Sequence, residues 1–243
     1  RTNAQSLVSD LAAPLNVQRV GDAWDRGKRQ KGGVGRVFGG QVIAQALAAA
    51  QDTVAPERIA HSLHAYFMRP GNEDFEITYR VERDFTGGSF STRRVIAMQQ
   101  DKPILNLAAS FQKIEPGFHH QELEMPDVPP PDGLRSDADL RRETVETMPD
   151  VDRAHFLRER PIEYRPVNPR DWVAGESRPA MQQSWFRTVA RLPDDPALHR
   201  AVIAYASDSI LLGTCTLPHG VTWGQAGFQS ASLDHALWLH DEI

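Results

Sequence analysis

The spacing of hydrophobic positions divides the chain into helical and extended segments. Residues 39–51 are apolar on almost every side, which is typical of a helix enclosed by other structure. The segments that follow are rich in strand-forming residues and are separated by short turns. These predicted strands are 59–68, 75–85, 89–98 and 104–114. The pattern predicts a long antiparallel meander curled around one buried helix, which is the hotdog arrangement.

A shorter version of the same order occurs in the second half of the chain. A proline-rich connector over 115–150, with a polar helix at 137–147, separates the two halves. The predicted elements that follow are strands at 161–167 and 182–190, a helix at 197–207 and a strand at 228–239. We therefore expect a duplicated α+β domain, with a first copy at 1–114, a linker at 115–150 and a second copy at 151–243.

The first 35 residues give weaker signals. Residues 5–13 predict a short amphipathic helix that Pro14 ends. Residues 17–24 predict a strand, and 26–35 predict a basic, glycine-rich loop at the surface.

Charge narrows the classes of function. The chain has 243 residues, with 27 Lys and Arg against 32 Asp and Glu, and its net charge of -5 creates no overall field that favours nucleic acid. Two local pairs, Arg93-Arg94 and Arg141-Arg142, are expected as solvated surface, because backbone binding usually needs several clustered cations. We expect no nucleic-acid partner.

Cysteine content and hydropathy indicate a compartment. The single cysteine, Cys215, lies in an apolar setting that predicts a small core residue. One cysteine excludes an intrachain disulfide and suits a reducing compartment. Residues 1–5 lack the apolar core of a signal peptide, and no run of about 18 apolar residues predicts a membrane span. The expectation is a cytoplasmic protein without a membrane span.

Familiar catalytic motifs are absent from the sequence. Residues 87–91, GGSFS, lack the last glycine of a Gly-x-Ser-x-Gly elbow, and there is no phosphate loop, dinucleotide fingerprint or His-Glu-x-x-His. The nine histidines are scattered, and His61 and His64 face opposite ways on a predicted strand. We expect neither a cofactor nor a metal.

Asp208 is the candidate that the residues themselves bring out. It follows an apolar helix, where a carboxylate is costly unless it is hydrogen-bonded or used in catalysis. It either caps the next turn through backbone N–H groups or takes part in a reaction. The residues alone favour neither interpretation.

Several short segments, in order along almost the whole chain, carry a resemblance to a known family. They are RVFGGQ at 36–41, HSLHAYF at 61–67, RPG at 69–71, SFSTRRV at 89–95, SFQ at 110–112 and LDH at 233–235. Together they resemble the acyl-CoA thioesterase II family, the double-hotdog hydrolases of bacteria and peroxisomes. The resemblance implies a double hotdog, with two antiparallel sheets that each wrap a central helix and join into one long curved sheet. It also implies hydrolysis of fatty acyl-CoA to free fatty acid and CoA.

The resemblance also implies a catalytic set. The family holds one water with an Asp, a Thr or Ser and a Gln in its second hotdog, and the first two fall on Asp208 and Ser232. Ser keeps the hydroxyl of the more usual Thr but loses its methyl. Ser62 precedes Gln112 by about 50 residues, so the matching Gln of the second copy is expected beyond Ile243, in a longer natural protein. Gln112 is then its counterpart in the non-catalytic copy.

These groups suit direct attack by water on a thioester. Asp208 would take or polarise the proton of the water, and Ser232 would fix its position. Gly39 and Gly40, at a helix N-terminus, either donate to the oxyanion or permit close packing, and packing is favoured.

Neighbouring residues on a strand face opposite ways, so Asp234 and His235 do not serve one site together. We expect Asp234 on the side of Ser232, and His235 in packing or in contact with a partner.

Two other functions stay open. A catalytically silent acyl-CoA-binding hotdog is compatible with the missing Gln. A hotdog enoyl-CoA hydratase would carry an Asp and a His a few residues apart near a glycine turn, and this pattern is not found. We expect a homo-oligomer, a dimer or larger, and no motif indicates the preferred acyl chain length.

Overall fold

The computed structural model describes residues 3–21, 24–27, 35–147, 153–222, 225 and 227–242. Its α-helices are α1 (Ala4–Leu15), α2 (Gly39–Gln51), α3 (Asp137–Thr144), α4 (Arg153–Leu157), α5 (Pro196–Ser207) and α6 (Leu211–Thr214). Its strands are β1 (Gln18–Arg19), β2 (Trp24–Gly27), β3 (Arg58–Phe67), β4 (Ile77–Thr86), β5 (Phe90–Gln99), β6 (Lys102–Lys113), β7 (Ile162–Pro166), β8 (Ser184–Thr188) and β9 (Asp234–Trp238). Short 3-10 turns lie at Pro131–Gly133, Val145–Thr147 and Leu217–His219.

The chain forms two compact units. The sheet unit comprises 9–115, 192–209 and 231–243, and the connector unit comprises 1–8, 116–191 and 210–230. The sheet unit contains a seven-stranded antiparallel sheet in the order β1-β2-β4-β5-β6-β3-β9. The fold is therefore α+β with an antiparallel sheet, as expected.

The sheet buries one face against α2. Along β6 the buried side chains alternate, as a half-buried strand requires, and they are Leu105, Leu107, Ala109 and Phe111. The small side chains of α2, such as Ala44, Ala46 and Ala49, are fully buried and let the sheet approach closely. The predicted helix at 39–51 and the four predicted strands are confirmed, with boundaries that shift by one or two residues.

Helix α5 packs against α2 within the same unit. Asp195 caps its start, because the Asp195 side chain accepts a hydrogen bond from the Ala197 N–H at 2.9 Å, and Pro196 occupies the first turn. Strand β9 then adds to β3 in antiparallel register, with Tyr66 opposite Asp234.

Three predicted boundaries are wrong. The strand expected at 228–239 begins at Asp234, so residues 228–233 are not part of it. The strand expected at 17–24 is instead the pair β1 and β2. Helix α1 continues through Pro14 to Leu15, since a proline in the last turn removes only one helical hydrogen bond. Most of the predicted loop at 26–35 lies outside the described residues.

The paired arginines are not simply solvated surface. Arg93 is 2% exposed and donates to the Thr53 and Thr86 hydroxyls and to the Phe85 carbonyl. Arg141 is buried against Asp137. Arg94 and Arg142 are exposed and pair with Asp84 and Asp139. Because Arg93 and Arg141 are buried and hydrogen-bonded within the protein, the two pairs do not form a phosphate-binding patch.

The connector unit holds the two-stranded sheet of β7 and β8, with Tyr164 opposite Phe186. Helix α3 is capped by Ser136, whose hydroxyl accepts a hydrogen bond from the Asp139 N–H at 3.1 Å. Cys215 follows α6 and is exposed, so the expectation of a core thiol is wrong. Leu211, at the start of α6, is exposed as well.

One stretch, Pro196–His219, has the length and composition of a membrane-crossing segment. By themselves these properties are weak evidence, because buried core helices share them. Helix α5 ends at Ser207, and its 12 residues span about 18 Å, less than the roughly 30 Å of a bilayer core. We interpret α5 as a core helix packed on α2.

Candidate active site

Asp208 lies between the end of α5 and the beginning of α2. It is the C-cap residue of α5, and its side chain is 10% exposed. The backbone N–H of Gly40, in the first turn of α2, donates a hydrogen bond to its carboxylate. Because a helix N-terminus carries partial positive charge, this position favours an anion.

The two glycines at the start of α2 make this approach possible. A Cβ added to Gly39 would lie 2.8 Å from Asp208 Oδ2 and 2.8 Å from the Phe67 ring. A Cβ added to Gly40 would meet the Tyr205 carbonyl oxygen. The glycines therefore serve close packing, as favoured from the sequence, and Gly40 also binds the carboxylate.

Burial changes the acidity of Asp208. Removal from water raises the pKa of this carboxyl from 3.8 to about 6, and the hydrogen bond from Gly40 offsets only part of that rise. A carboxylate with a pKa of about 6 is a better proton acceptor than an exposed one. Perturbed carboxyls of this kind are typical of functional sites.

His235 faces Asp208 and was assigned by sequence reasoning only to packing or partner contact. Its side chain is 3% exposed, its Nδ1 lies 3.8 Å from Asp208 Oδ1, and its Nε2 lies 2.9 Å from Ser207 Oγ. Burial lowers the pKa of His235, and the charge of Asp234 partly offsets this effect. The alternation of faces along β9 was the available signal, but it could not tell which helix lay beneath the strand.

Ser232 makes no hydrogen bond to Asp208. It is half-buried and lies two residues before β9, and its hydroxyl makes no hydrogen bond to any described residue. Its neighbour Leu233 accepts a hydrogen bond from the Phe67 N–H at 2.9 Å. Phe67 and Asp208 both lie beside Gly39, so this hydrogen bond connects the backbone next to Ser232 with a residue near Asp208.

The other polar candidates lie elsewhere in the sheet unit. Asp234 is exposed and contacts His64 across the β3–β9 ladder, with 3.3 Å between Oδ2 and Nε2. His61 hydrogen-bonds Ser110 at 2.7 Å. Gln112 is half-buried on β6 opposite Ile59. Asp234 and His235 thus differ in exposure as strand neighbours should.

The part of the chain that the structure describes contains no metal site that can be recognised from its side chains. No three side chains among its histidines, cysteines and acidic residues are grouped as metal ligands. Asp208 and His235 form a pair of possible ligands without a third.

Two family models match the chain in sequence order. The first is described as "Acyl-CoA thioesterase N-terminal domain" and matches residues 28–112. The second is described as "Acyl-CoA thioesterase" and matches residues 151–243. The two matches leave the proline-rich connector between them.

Individual proteins show the same similarity. Acyl-CoA thioesterase 2 of Haemophilus influenzae is 36% identical over 234 residues, which cover 96% of this chain and 82% of that protein. The structure of acyl-CoA thioesterase II TesB2 from Mycobacterium marinum is 32% identical, with a TM-score of 0.70, over 97% of this chain and 79% of that one. A hot dog fold protein of Alicyclobacillus acidocaldarius has a TM-score of 0.72 at 17% identity, over 100% of this chain and 80% of that one, and so shares the fold alone.

Proposed function

Because this chain belongs to the acyl-CoA thioesterase II family, we propose that Asp208 directs a water molecule onto the thioester carbonyl of a bound fatty acyl-CoA. The chain is an acyl-CoA thioester hydrolase, and its products are a free acid and CoA. The observation that carries the proposed role is the buried Asp208 carboxylate at the N-terminus of α2, with its pKa raised to about 6.

The reaction needs a base that accepts a proton from water and a partial positive charge that stabilises the carbonyl oxygen. Asp208 takes a proton from water as the water oxygen bonds to the carbonyl carbon. The tetrahedral intermediate then collapses, the C–S bond breaks, and the proton passes from Asp208 to the sulfur of CoA. No covalent bond to the protein forms in this scheme.

The N-terminus of α2 is suited to the charge that develops on the carbonyl oxygen. Gly39 adds no side chain of its own at this end, and the helix dipole favours an anion there. We infer that the thioester carbonyl approaches this end of α2, beside Asp208.

Ser232 completes the proposed set as the hydroxyl that orients the water. Its link through Leu233 to Phe67 supports this role, and a water can bridge two groups that do not touch. The third group, the family's Gln, remains an expectation from the resemblance.

The wider architecture is also a proposal. We infer a double hotdog with copies at 1–114 and 151–243 around a linker at 115–150. The antiparallel pairing of β9 with β3 supports a single curved sheet that runs from one copy into the other. We also propose a homo-oligomer and a cytoplasmic location. The free thiol of Cys215 suits a reducing compartment.

The test is turnover of palmitoyl-CoA, followed by release of free CoA with a thiol-reactive dye. We expect Asp208→Asn to lower kcat by about 10²- to 10⁴-fold, the contribution of a general base, while the circular dichroism spectrum stays unchanged. Gln112→Ala is the matched control and should keep its turnover.

The outcomes separate the alternatives. Binding of palmitoyl-CoA without release of CoA by the unmodified protein would indicate a silent binding module. Full activity in Asp208→Asn, with loss in Gln112→Ala, would move the active site to the first copy.

A further inference from the structure

We propose that His235 is a positioning residue for Asp208, and that its Nδ1 receives a share of the proton that the carboxylate takes from water. This inference rests on the proposed catalytic role of Asp208. It assigns a function to a buried histidine that the reaction described above does not use.

Ser207 fixes the protonation pattern of the imidazole. We assign the only hydrogen of the Ser207 hydroxyl to the Ala204 carbonyl, 2.9 Å from Oγ, which leaves the hydroxyl as an acceptor towards His235. His235 therefore donates through Nε2–H, over 2.9 Å. In the neutral ring the lone pair then lies on Nδ1, the atom that faces Asp208.

The two partners are each held in place. His235 lies on β9 opposite Ala65 of β3, and its ring is buried. Asp208 is held by the Gly40 N–H. The separation of 3.8 Å between Nδ1 and Oδ1 is longer than a hydrogen bond, but catalytic contacts of this kind commonly shorten when substrate binds.

The surroundings favour a neutral imidazole at His235 both before and after the proton arrives on Asp208. Burial lowers the pKa of His235 and raises the pKa of Asp208, so both effects oppose an imidazolium beside a carboxylate. The other groups at the pair are Gly40 N–H on α2, Ser207 on α5 and Asp234 on β9, which contacts His64 of β3. A proton taken up by Asp208 is therefore stabilised as O–H···Nδ1.

The experiment compares two amides at position 235 in the palmitoyl-CoA assay. In His235→Gln the amide still reaches Ser207 but leaves no acceptor at the place of Nδ1. We expect kcat to fall by about 10- to 100-fold, as when an outer partner of a reactive group is lost. We also expect the acid limb of the pH–kcat profile to move to lower pH, because the protonated carboxyl loses its acceptor. His235→Asn, with an oxygen near the place of Nδ1, should retain more kcat.

Ser207→Ala supplies a second variant that keeps the histidine and the helix. Without its acceptor, the ring is free to carry Nδ1–H towards Asp208, which stabilises the carboxylate and again moves the acid limb to lower pH. His240→Gln, an exposed histidine beyond β9, is the control and should match the unmodified protein. These profiles report the apparent pKa of the coupled pair.

Three results would overturn the inference. One is an unchanged kcat and acid limb in both His235→Gln and Ser207→Ala. Another is a shift of the acid limb to higher pH, which would indicate an imidazolium that stabilises the carboxylate. The third is a loss of kcat in His235→Asn as large as in His235→Gln. If Asp208→Asn is inactive in any of these cases, the proposed function stands and only the role of His235 fails.

Discussion

The Gly40 N–H donates a hydrogen bond to the Asp208 carboxylate, so the first turn of α2 and the last turn of α5 share one charged group. The close approach of the two helices places the carboxylate in a buried, positively polarised position. The burial that raises the pKa of Asp208 and the hydrogen bond that partly offsets this rise both depend on this single junction.

Gly39→Ala should damage the site more than the fold. The added Cβ would lie 2.8 Å from both Asp208 Oδ2 and the Phe67 ring, so the carboxylate or the ring must move. Since a displacement of about 1 Å can cost roughly 100-fold in rate, we expect a loss of that order in kcat. The melting temperature should change little, because Ala favours a helix more than Gly does.

The matched control for Gly39→Ala is Gly88→Ala, where an added Cβ meets nothing within 4 Å. This variant should keep both turnover and melting temperature. Equal turnover in the two variants would show that the junction tolerates a side chain.

The charge of Asp208 should cost the folded state stability at neutral pH. Its pKa is about 6 when folded and 3.8 as the ordinary value, so folding opposes ionisation. The cost is absent below pH 3.8, grows between pH 3.8 and 6, and is complete above pH 6, at no more than about 3 kcal/mol. Asp208→Asn should therefore raise the melting temperature at pH 8 and lose this advantage by pH 4.

Asp194→Asn, at an exposed carboxylate just before α5, is the comparison for that experiment. It should leave the melting temperature unchanged across the same pH range. A decrease in the stability of Asp208→Asn at pH 8 would mean that the carboxylate stabilises the fold and that its pKa is not raised.

Arg93→Met and Arg94→Met should differ sharply although the residues are adjacent. Arg93 is buried and donates to two hydroxyls and a carbonyl, and its loss leaves these acceptors without a donor. We expect a decrease of at least about 3 kcal/mol in the free energy of unfolding, measured with urea. Arg94 pairs with Asp84 at the surface, and its replacement should give an unfolding curve like that of the unmodified protein. Equal curves would contradict the buried role of Arg93.

The limits of sequence reasoning are visible at β9. The helix at 39–51 and the four long strands followed from periodicity, because burial of one face repeats at a fixed interval along each element. The sequence also predicted a strand over 228–233, but the β9–β3 ladder contains only Asp234–Trp238. Pairing depends on which strand lies alongside, and the local composition does not contain that information.

The sequence by itself determined the antiparallel meander around α2, the helix at 197–207, and Asp208 as a costly carboxylate that needed an explanation. Tertiary structure alone decided that Gly40 supplies the donor to Asp208, that His235 faces this carboxylate, and that Arg93 is buried while Arg94 is not. Periodicity records which residues avoid water, whereas the pKa of a carboxylate depends on groups from distant segments that folding brings within a few ångströms.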